Sequence, residues 1–393
     1  MAELYEWQKK ALEEALEKNK LIIQVATGAG KTFFAIELLK LLLQKNPDSR
    51  ILIIVPKIVI LENTWMKELM TNGFGPHQVG AYYGQAKEYS KITLTTTASV
   101  TRLNIDLFDI CIIDEVHNMM TTRLMNIVKR KEFTKIIGLS ATIDSTDYRH
   151  WGLLREFGFN QFTYDTKQAI DDGIISTLTF TNIGIPFDDE ELHEKYDKEQ
   201  QQITALNHAI RVKQYRGDNT SAERTAMYAH VNARNEIVYN YPTKLTKVIE
   251  LVERNKGKKI IIFNQRNDIS NQLYWMLHDV EGIRAVIVNS GVKRKQQAAN
   301  IKSFANGNTN TMLASISLDE GYNLPNIDVA IILSGNATSR QAVQRIGRVL
   351  RKSVGKEEAK IYQLYLQDSC EQRHADKRAV FFKSIARVFT EET

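Results

Sequence analysis

The chain has 393 residues, 43% of them hydrophobic and 25% charged, with a formal net charge of +6. That length and balance fit two or three folded domains and exclude a disordered, collagen-like or Pro-rich chain, while the positive charge favours a polyanionic partner such as nucleic acid. Two cysteines, Cys111 and Cys370, exclude a disulfide framework and a cysteine-only zinc site and point to a reducing compartment.

The first twenty residues pattern as an amphipathic helix without the apolar stretch of a signal peptide, and no later apolar run is long enough to span a bilayer. A cytoplasmic protein is the expectation. Continuous β-branched runs then predict buried strands at Leu21–Val25, Ile51–Val55, Ile92–Thr96, Ile110–Ile113 and Ile136–Leu139, with helices such as Phe33–Gln44 and Leu61–Asn72 between them. After a strand at Leu178–Ile185, residues 188–240 are rich in charge, Gln and Asn at helical spacing and predict a helical insertion. Strands resume at Lys259–Asn264, Ala285–Asn289, Thr311–Ser315, Val329–Leu333 and Ala359–Leu366, and a basic helix from about Glu371 to Val388 closes the chain. The expectation is two α/β domains, 1–165 and 166–393, the second carrying the insertion.

The first strand runs into Ala26-Thr27-Gly28-Ala29-Gly30-Lys31-Thr32, and a helix comes next. Glycines let successive backbone N–H groups face phosphates. The helix N-terminus adds its dipole, Lys31 reaches the β- and γ-phosphates, and the Thr32 hydroxyl suits Mg²⁺. Val25 stands where the strict phosphate-loop pattern has its first glycine. Asp114-Glu115-Val116-His117 directly follows another buried strand, the place where open α/β sheets bind ligands. There Asp114 would hold Mg²⁺ through water, and Glu115, also placed at the metal, would orient and deprotonate the attacking water.

In order along the chain, these strings resemble a superfamily 2 DExH helicase or translocase. Tyr5-x-x-Gln8 resembles the upstream glutamine motif that reads adenine, Ala26–Thr32 motif I, Val55-Pro56-Lys57 motif Ia and Thr95–Ser99 motif Ib. Asp114–His117 resembles motif II, Ser140-Ala141-Thr142 motif III, Ile261–Asn264 motif IV, Ser315–Pro325 motif V and Gln344–Arg351 motif VI. The DEVH, SAT and QRIGRVLR strings are most similar to the XPB/UvsW-like branch, which includes restriction-enzyme motor subunits.

That resemblance implies two tandem RecA-like P-loop NTPase domains with parallel sheets, using ATP and Mg²⁺. It implies a DNA motor, 3′-to-5′ or branch-migrating, with a place in DNA repair or recombination. Nucleotide contacts would come from Gln8, Thr27, Gly28, Ala29, Gly30, Lys31 and Thr32, and from Glu320, Gly321 and Asn323, the last standing where an acidic residue is usual. Gln344, Arg348 and Arg351 recur at i, i+4 and i+7, predicting one helix face from which both arginines act as fingers on the γ-phosphate. Lys57, Thr96 and Thr97, with Asn264, Ser290, Gly291 and Ser315, would grip nucleic-acid phosphates, which carry no sequence information. His117, Ser140 and Thr142 would couple nucleotide state to that grip, His117 by a link to Gln344. Tyr82, Tyr83, Trp65 and Trp275 are read as core rather than as base-stacking residues.

Alternatives stay open: an RNA helicase, a duplex DNA translocase serving a partner nuclease, and a nucleotide-binding scaffold without motor activity. The motifs begin almost at residue 1, so substrate selection is expected from residues 188–240 or from a protein partner, with no membrane involved.

Overall fold

The strings LIIQV, ILIIV and ICII are apolar at almost every position rather than at alternate ones, so neither face of such a strand can be left to water. The computed structural model describes residues 3–119, 122–141, 143, 155–315, 327–334, 349, 351, 352 and 356–392. The chain divides into two compact units, one comprising Met1–Thr177 with the described residues of Arg340–Glu357, the other Leu178–Ser317, Asn326–Ser339 and Glu358–Thr393.

The strands of the first unit are β1 (Lys20–Val25), β2 (Ile51–Val55), β3 (Val79–Tyr83), β4 (Ala86–Lys87), β5 (Ile92–Thr96), β6 (Ile110–Ile113), β7 (Lys135–Ser140) and β8 (Asn160–Tyr164). Their order in the sheet is β4-β3-β5-β2-β6-β7-β1-β8. Every pairing is parallel except the short β3–β4 hairpin at the edge. The consequence for function lies in three neighbours. β6, β7 and β1 are adjacent and parallel, so the loops leaving their C-terminal ends all emerge on one edge of the sheet. Helix α1 (Glu6–Glu17) packs its Trp7, Ala11 and Leu12 inward, and helix α2 (Lys31–Lys45) starts where the loop after β1 ends. Buried Lys135 on β7 ties α1 down by donating from Nζ to the carbonyls of Lys18 (2.5 Å) and Leu16 (3.4 Å). A cation at a helix C-terminus meets exposed carbonyls and the negative end of the dipole.

Between β2 and β3 the expected helix differs from a regular α-helix. Ile58–Ile60 and Lys67–Thr71 are α-helical, but Leu61–Met66 between them is a π-helix. Leu61, Trp65 and Leu69 are all fully buried.

The second unit is built on β9 (Thr177–Ile185), β10 (Ile260–Asn264), β11 (Ala285–Val288), β12 (Thr311–Ser315), β13 (Val329–Ile332), β14 (Glu358–Leu366) and β15 (Val388–Glu392), ordered β11-β12-β10-β13-β14-β9-β15. Its core gathers Leu245, Val248, Leu251 and Val252 of the helix Pro242–Arg254 against Ile260, Ile262, Leu313 and Ile331. Residues 188–240 hold two helices, Glu190–Arg216 and Ser221–Tyr239, that pack on each other. Tyr196, Ile203 and Ile210 are buried at a spacing of seven, the seam of a coiled pair, and the remaining positions are mostly solvated. The terminal helix, expected to reach Val388, ends at Ile385, and the chain turns into β15, which pairs in parallel with β9. Trp275, read as core, is 65% exposed on the helix Asn267–His278. No helix among the described residues is long and apolar enough to cross a membrane.

Candidate functional site

Because β1 leaves the sheet at Val25, the next residues must turn sharply before α2 can start. Gly28 (φ 90°) and Gly30 (φ 97°) occupy the left-handed region that other residues avoid. Gly30 also lacks room for a side chain, since a Cβ there would stand 3.0 Å from Gln8 Nε2. Gln8 is fully buried against this loop. Its Nε2 donates to the Gly30 carbonyl (3.2 Å) and its Oε1 accepts from the Tyr5 N–H (2.9 Å). The residue expected to read adenine thus ties the start of α1 to the phosphate loop.

Lys31 is the first residue of α2, and its Nζ donates to the Val25 carbonyl (3.0 Å). Burial pushes its pKa down, and the carboxylates of Glu115 and Asp114 oppose that shift. Those two carboxylates arrive from β6. The Asp114 N–H donates to Ile54 O (2.8 Å), extending the ladder with β2, and the chain then turns at Glu115, whose φ of 47° is left-handed. A non-glycine residue held there costs on the order of 1–3 kcal/mol. The turn is held by the Glu115 N–H donating to Asp114 Oδ1 (3.0 Å) and the Asn118 N–H donating to Glu115 O (2.8 Å). Burial, then the neighbouring Glu115 carboxylate, push the Asp114 pKa up to about 6; the Trp65 hydrogen bond and Lys31 act the other way.

His117 comes next, in a short 3-10 turn, with its side chain 4% exposed. Its Nδ1 lies 2.9 Å from Ser140 Oγ, at the end of β7, and 3.5 Å from Glu115 Oε2. Gly138 on β7 makes this approach possible, because a Cβ there would press on Val116 at 3.1 Å. Lys31, Asp114, Glu115, His117 and Ser140 therefore form one cluster, delivered by three adjacent strand ends. Thr32, in the first turn of α2, adds a hydroxyl, and the Thr27 hydroxyl is buried without a hydrogen-bond partner. Hard oxygen donors beside an ammonium and glycine-turned backbone suit a Mg²⁺–polyphosphate.

Asp114 has a partner that the sequence reading missed. Trp65 Nε1 donates to Asp114 Oδ2 at 2.7 Å. Nothing local marks it, since the two residues are 49 positions apart and meet only because β2 and β6 are neighbours.

Arg351 lies with the first unit and bridges Ile175 in antiparallel fashion, so it sits on extended backbone rather than on the helix expected to carry it. Its guanidinium adds to the downward push on the Lys31 pKa. Thr142, Glu320, Gly321, Asn323, Gln344 and Arg348 lie outside the described residues, and with Gln344 the expected His117 link.

The expected phosphate-gripping residues divide by exposure. Lys57, Ser290 and Gly291 are exposed. Thr96 is 4% exposed, its hydroxyl donating to Ser99 Oγ (3.1 Å), and Thr97 Oγ1 donates to Pro56 O (3.3 Å). Asn264 is fully buried, exchanging hydrogen bonds with Ser270 Oγ and accepting from the Arg266 N–H. The buried Thr96 and Asn264 side chains hold the turns after β5 and β10, and Thr97 is half-buried. Ser315 ends β12 beside Asn264.

Known proteins agree with this arrangement. The Type III restriction enzyme res subunit family model matches residues 1–145, and the helicase conserved C-terminal domain model matches residues 243–353. The DNA 3'-5' translocase XPB2 of Sulfurisphaera tokodaii is 24% identical over 363 residues, 89% of this chain and 79% of the relative. The DNA 3'-5' helicase XPB of Mycobacterium tuberculosis is 22% identical, over 96% of this chain and 63% of the relative, so the chain spans less than two thirds of that protein. The Pyrococcus furiosus Hef helicase domain shares the fold at a TM-score of 0.61 and 14% identity, over 94% of this chain and 96% of that domain. With two parallel-sheet α/β units, a phosphate loop and a DExH turn in one cluster, the chain is a nucleic-acid-dependent ATPase with res-subunit and helicase C-terminal domains, similar to the XPB-like superfamily 2 DExH helicases.

Proposed function

We propose that this ATPase is a DNA helicase or translocase, moving 3′-to-5′ and unwinding or branch-migrating its substrate, in the cytoplasm of a prokaryote or a phage-infected host. The observation that carries the ATPase half is the convergence of Lys31, Asp114 and Glu115 on one sheet edge, linked through His117 to Ser140. Choice of DNA rests on the two XPB relatives, whose names give DNA and that polarity.

In this reading the backbone N–H groups of residues 28–32 and the Lys31 ammonium hold the β- and γ-phosphates. Thr32 and Asp114 would hold Mg²⁺, which supplies charge neutralisation at the leaving phosphate oxygens. Glu115 aligns the attacking water and accepts its proton. His117 and Ser140 carry the consequence to the segment after β7. Arg348 and Arg351 stabilise the charge on the transferring phosphoryl group, and Glu320, Gly321 and Asn323 contribute to nucleotide binding. Exposed Lys57, Ser290 and Gly291 contact strand phosphates.

The test is ATPase stimulation by DNA against RNA, then strand displacement on forks, Holliday junctions and simple overhangs. Stimulation and unwinding with DNA are expected. Preference for RNA would move the protein to the RNA helicases. ATPase without strand displacement would favour a duplex translocase serving a nuclease partner, and no ATPase at all would leave a nucleotide-binding scaffold.

A further inference from the structure

Trp65 is fully buried, yet its one polar atom does not point into apolar packing. Nε1 donates to Asp114 Oδ2 at 2.7 Å, short for an N–H donor and in the range of charge-assisted bonds. The other carboxylate oxygen, Oδ1, accepts from the Glu115 N–H at 3.0 Å. Asp114 is therefore held at both oxygens, one by its own turn and one by a side chain from a different element. The turn alone does not fix the carboxylate plane, because rotation about the Cβ–Cγ bond can trade one oxygen for the other at the Glu115 N–H.

The element that supplies Trp65 is unusual at that position. Leu61–Met66 forms a π-helix between two α-helical pieces, and such insertions concentrate where a side chain must be re-aimed. The π turn costs hydrogen-bond geometry, so its presence at the residue that bonds Asp114 is a pointer to use rather than to packing alone. Trp7 gives the comparison within the same unit. It is equally an aromatic core residue, stacked on Tyr164 with ring centroids 5.4 Å apart, but its Nε1 is buried without a hydrogen-bond partner.

We infer that Trp65 is a positioning residue for the metal-holding carboxylate: its indole N–H fixes the orientation of Asp114 and so sets the affinity of the site for the divalent cation that accompanies the nucleotide. The inference rests on Asp114 acting as a Mg²⁺ ligand in the proposed ATPase site. It assigns to Trp65 no contact with substrate. Its role resembles that of outer partners that orient metal ligands, whose loss typically weakens metal affinity by about 10- to 100-fold.

Mn²⁺ serves as the probe, with free Mn²⁺ counted by electron paramagnetic resonance in the presence of ADP. Nucleotide binding in EDTA and thermal melting are measured alongside. Wild-type protein should bind Mn²⁺ with ADP; failure there would overturn the metal-site reading itself. Trp65→Phe keeps an aromatic ring and deletes the donor. It should weaken Mn²⁺ binding about 10- to 100-fold while ADP binding in EDTA stays near wild type. Trp7→Phe, which deletes an indole N–H that bonds nothing, should leave Mn²⁺ binding unchanged. Trp65→His places an Nε2–H at nearly the same point of a five-membered ring and should recover much of the lost affinity.

Wild-type Mn²⁺ binding in Trp65→Phe would overturn the inference. Equal loss of ADP binding with and without metal would also overturn it, because that is the signature of a merely structural role. If Trp65→Phe does not fold, Trp65→His decides alone: Mn²⁺ affinity near wild type supports the donor role, and loss comparable to removing a ligand rejects it.

Discussion

His117 Nδ1 and Ser140 Oγ lie 2.9 Å apart, joining the last residue of the DExH string to the first residue of the Ser-Ala-Thr string. The bond is buried and spans two parallel strands, and Glu115 Oε2 sits 3.5 Å from the same imidazole nitrogen. The proposed coupling would run from Glu115 to Ser140 through that one side chain.

Ser140→Ala tests that relay. The change removes the Ser140 hydroxyl from the imidazole and leaves Glu115 Oε2, 3.5 Å away, beside the same nitrogen. ATP hydrolysis without DNA should persist, while stimulation by DNA and strand displacement should fall together. Full stimulation in the variant would show that coupling runs elsewhere.

Lys31→Ala removes the half-buried ammonium that interacts electrostatically with both carboxylates. Turnover should drop by at least ~10²-fold, as when a preorganised charge-stabilising group is lost. Nucleotide affinity should weaken as well. An ATPase assay beside a nucleotide titration checks it, and near wild-type turnover would remove Lys31 from the site.

Glu115→Gln should separate binding from chemistry. Gln occupies the same left-handed backbone position with the same shape, so the turn after Asp114 is expected to survive. Removing the base should block hydrolysis and leave ATP bound, trapping a DNA-bound complex. Normal hydrolysis in this variant would contradict the role given to Glu115.

Arg348→Ala should slow hydrolysis by about 10³-fold or more if Arg348 is a finger, with a far smaller loss of ATP affinity, since a finger acts on transition-state charge. DNA binding without nucleotide should be little changed. Loss of DNA binding with normal turnover would place Arg348 on the nucleic acid instead.

Lys244→Met should destabilise the second unit. Lys244 is fully buried, its Nζ 2.6 Å from Glu371 Oε2, and that oxygen also accepts from the Leu366 N–H. Leaving the carboxylate alone should cost about 3–5 kcal/mol. Adding Glu371→Gln removes the stranded charge and keeps an acceptor for Leu366, so the double variant should melt above the single one. An equal or lower melting point would contradict the pairing argument.

What the sequence determined by itself was local or strand-sized. The glycine-turned loop at 26–32, the carboxylates after an apolar strand and the helical insertion each arise from a run of neighbours whose backbone needs are written in their side chains. Strands apolar at every position declared a buried parallel sheet. Strands without such a run went unread: β8 and β15 are largely polar and half exposed, and only pairing with β1 and β9 makes them strands.

The tertiary structure decided which of these pieces meet. Strand order sets β6 beside β7 and β7 beside β1, and that order alone brings Lys31, Glu115 and Ser140 together. It also decided what polar side chains are for. Thr96 and Asn264 match phosphate-gripping motifs by identity, and their buried side chains also hydrogen-bond within the turns they sit in. Trp65 carries no local sign of function, because its partner is 49 positions away and the π turn that aims it answers to a core both must share. Side-chain chemistry is written residue by residue, whereas the distance between two side chains depends on every strand laid between them.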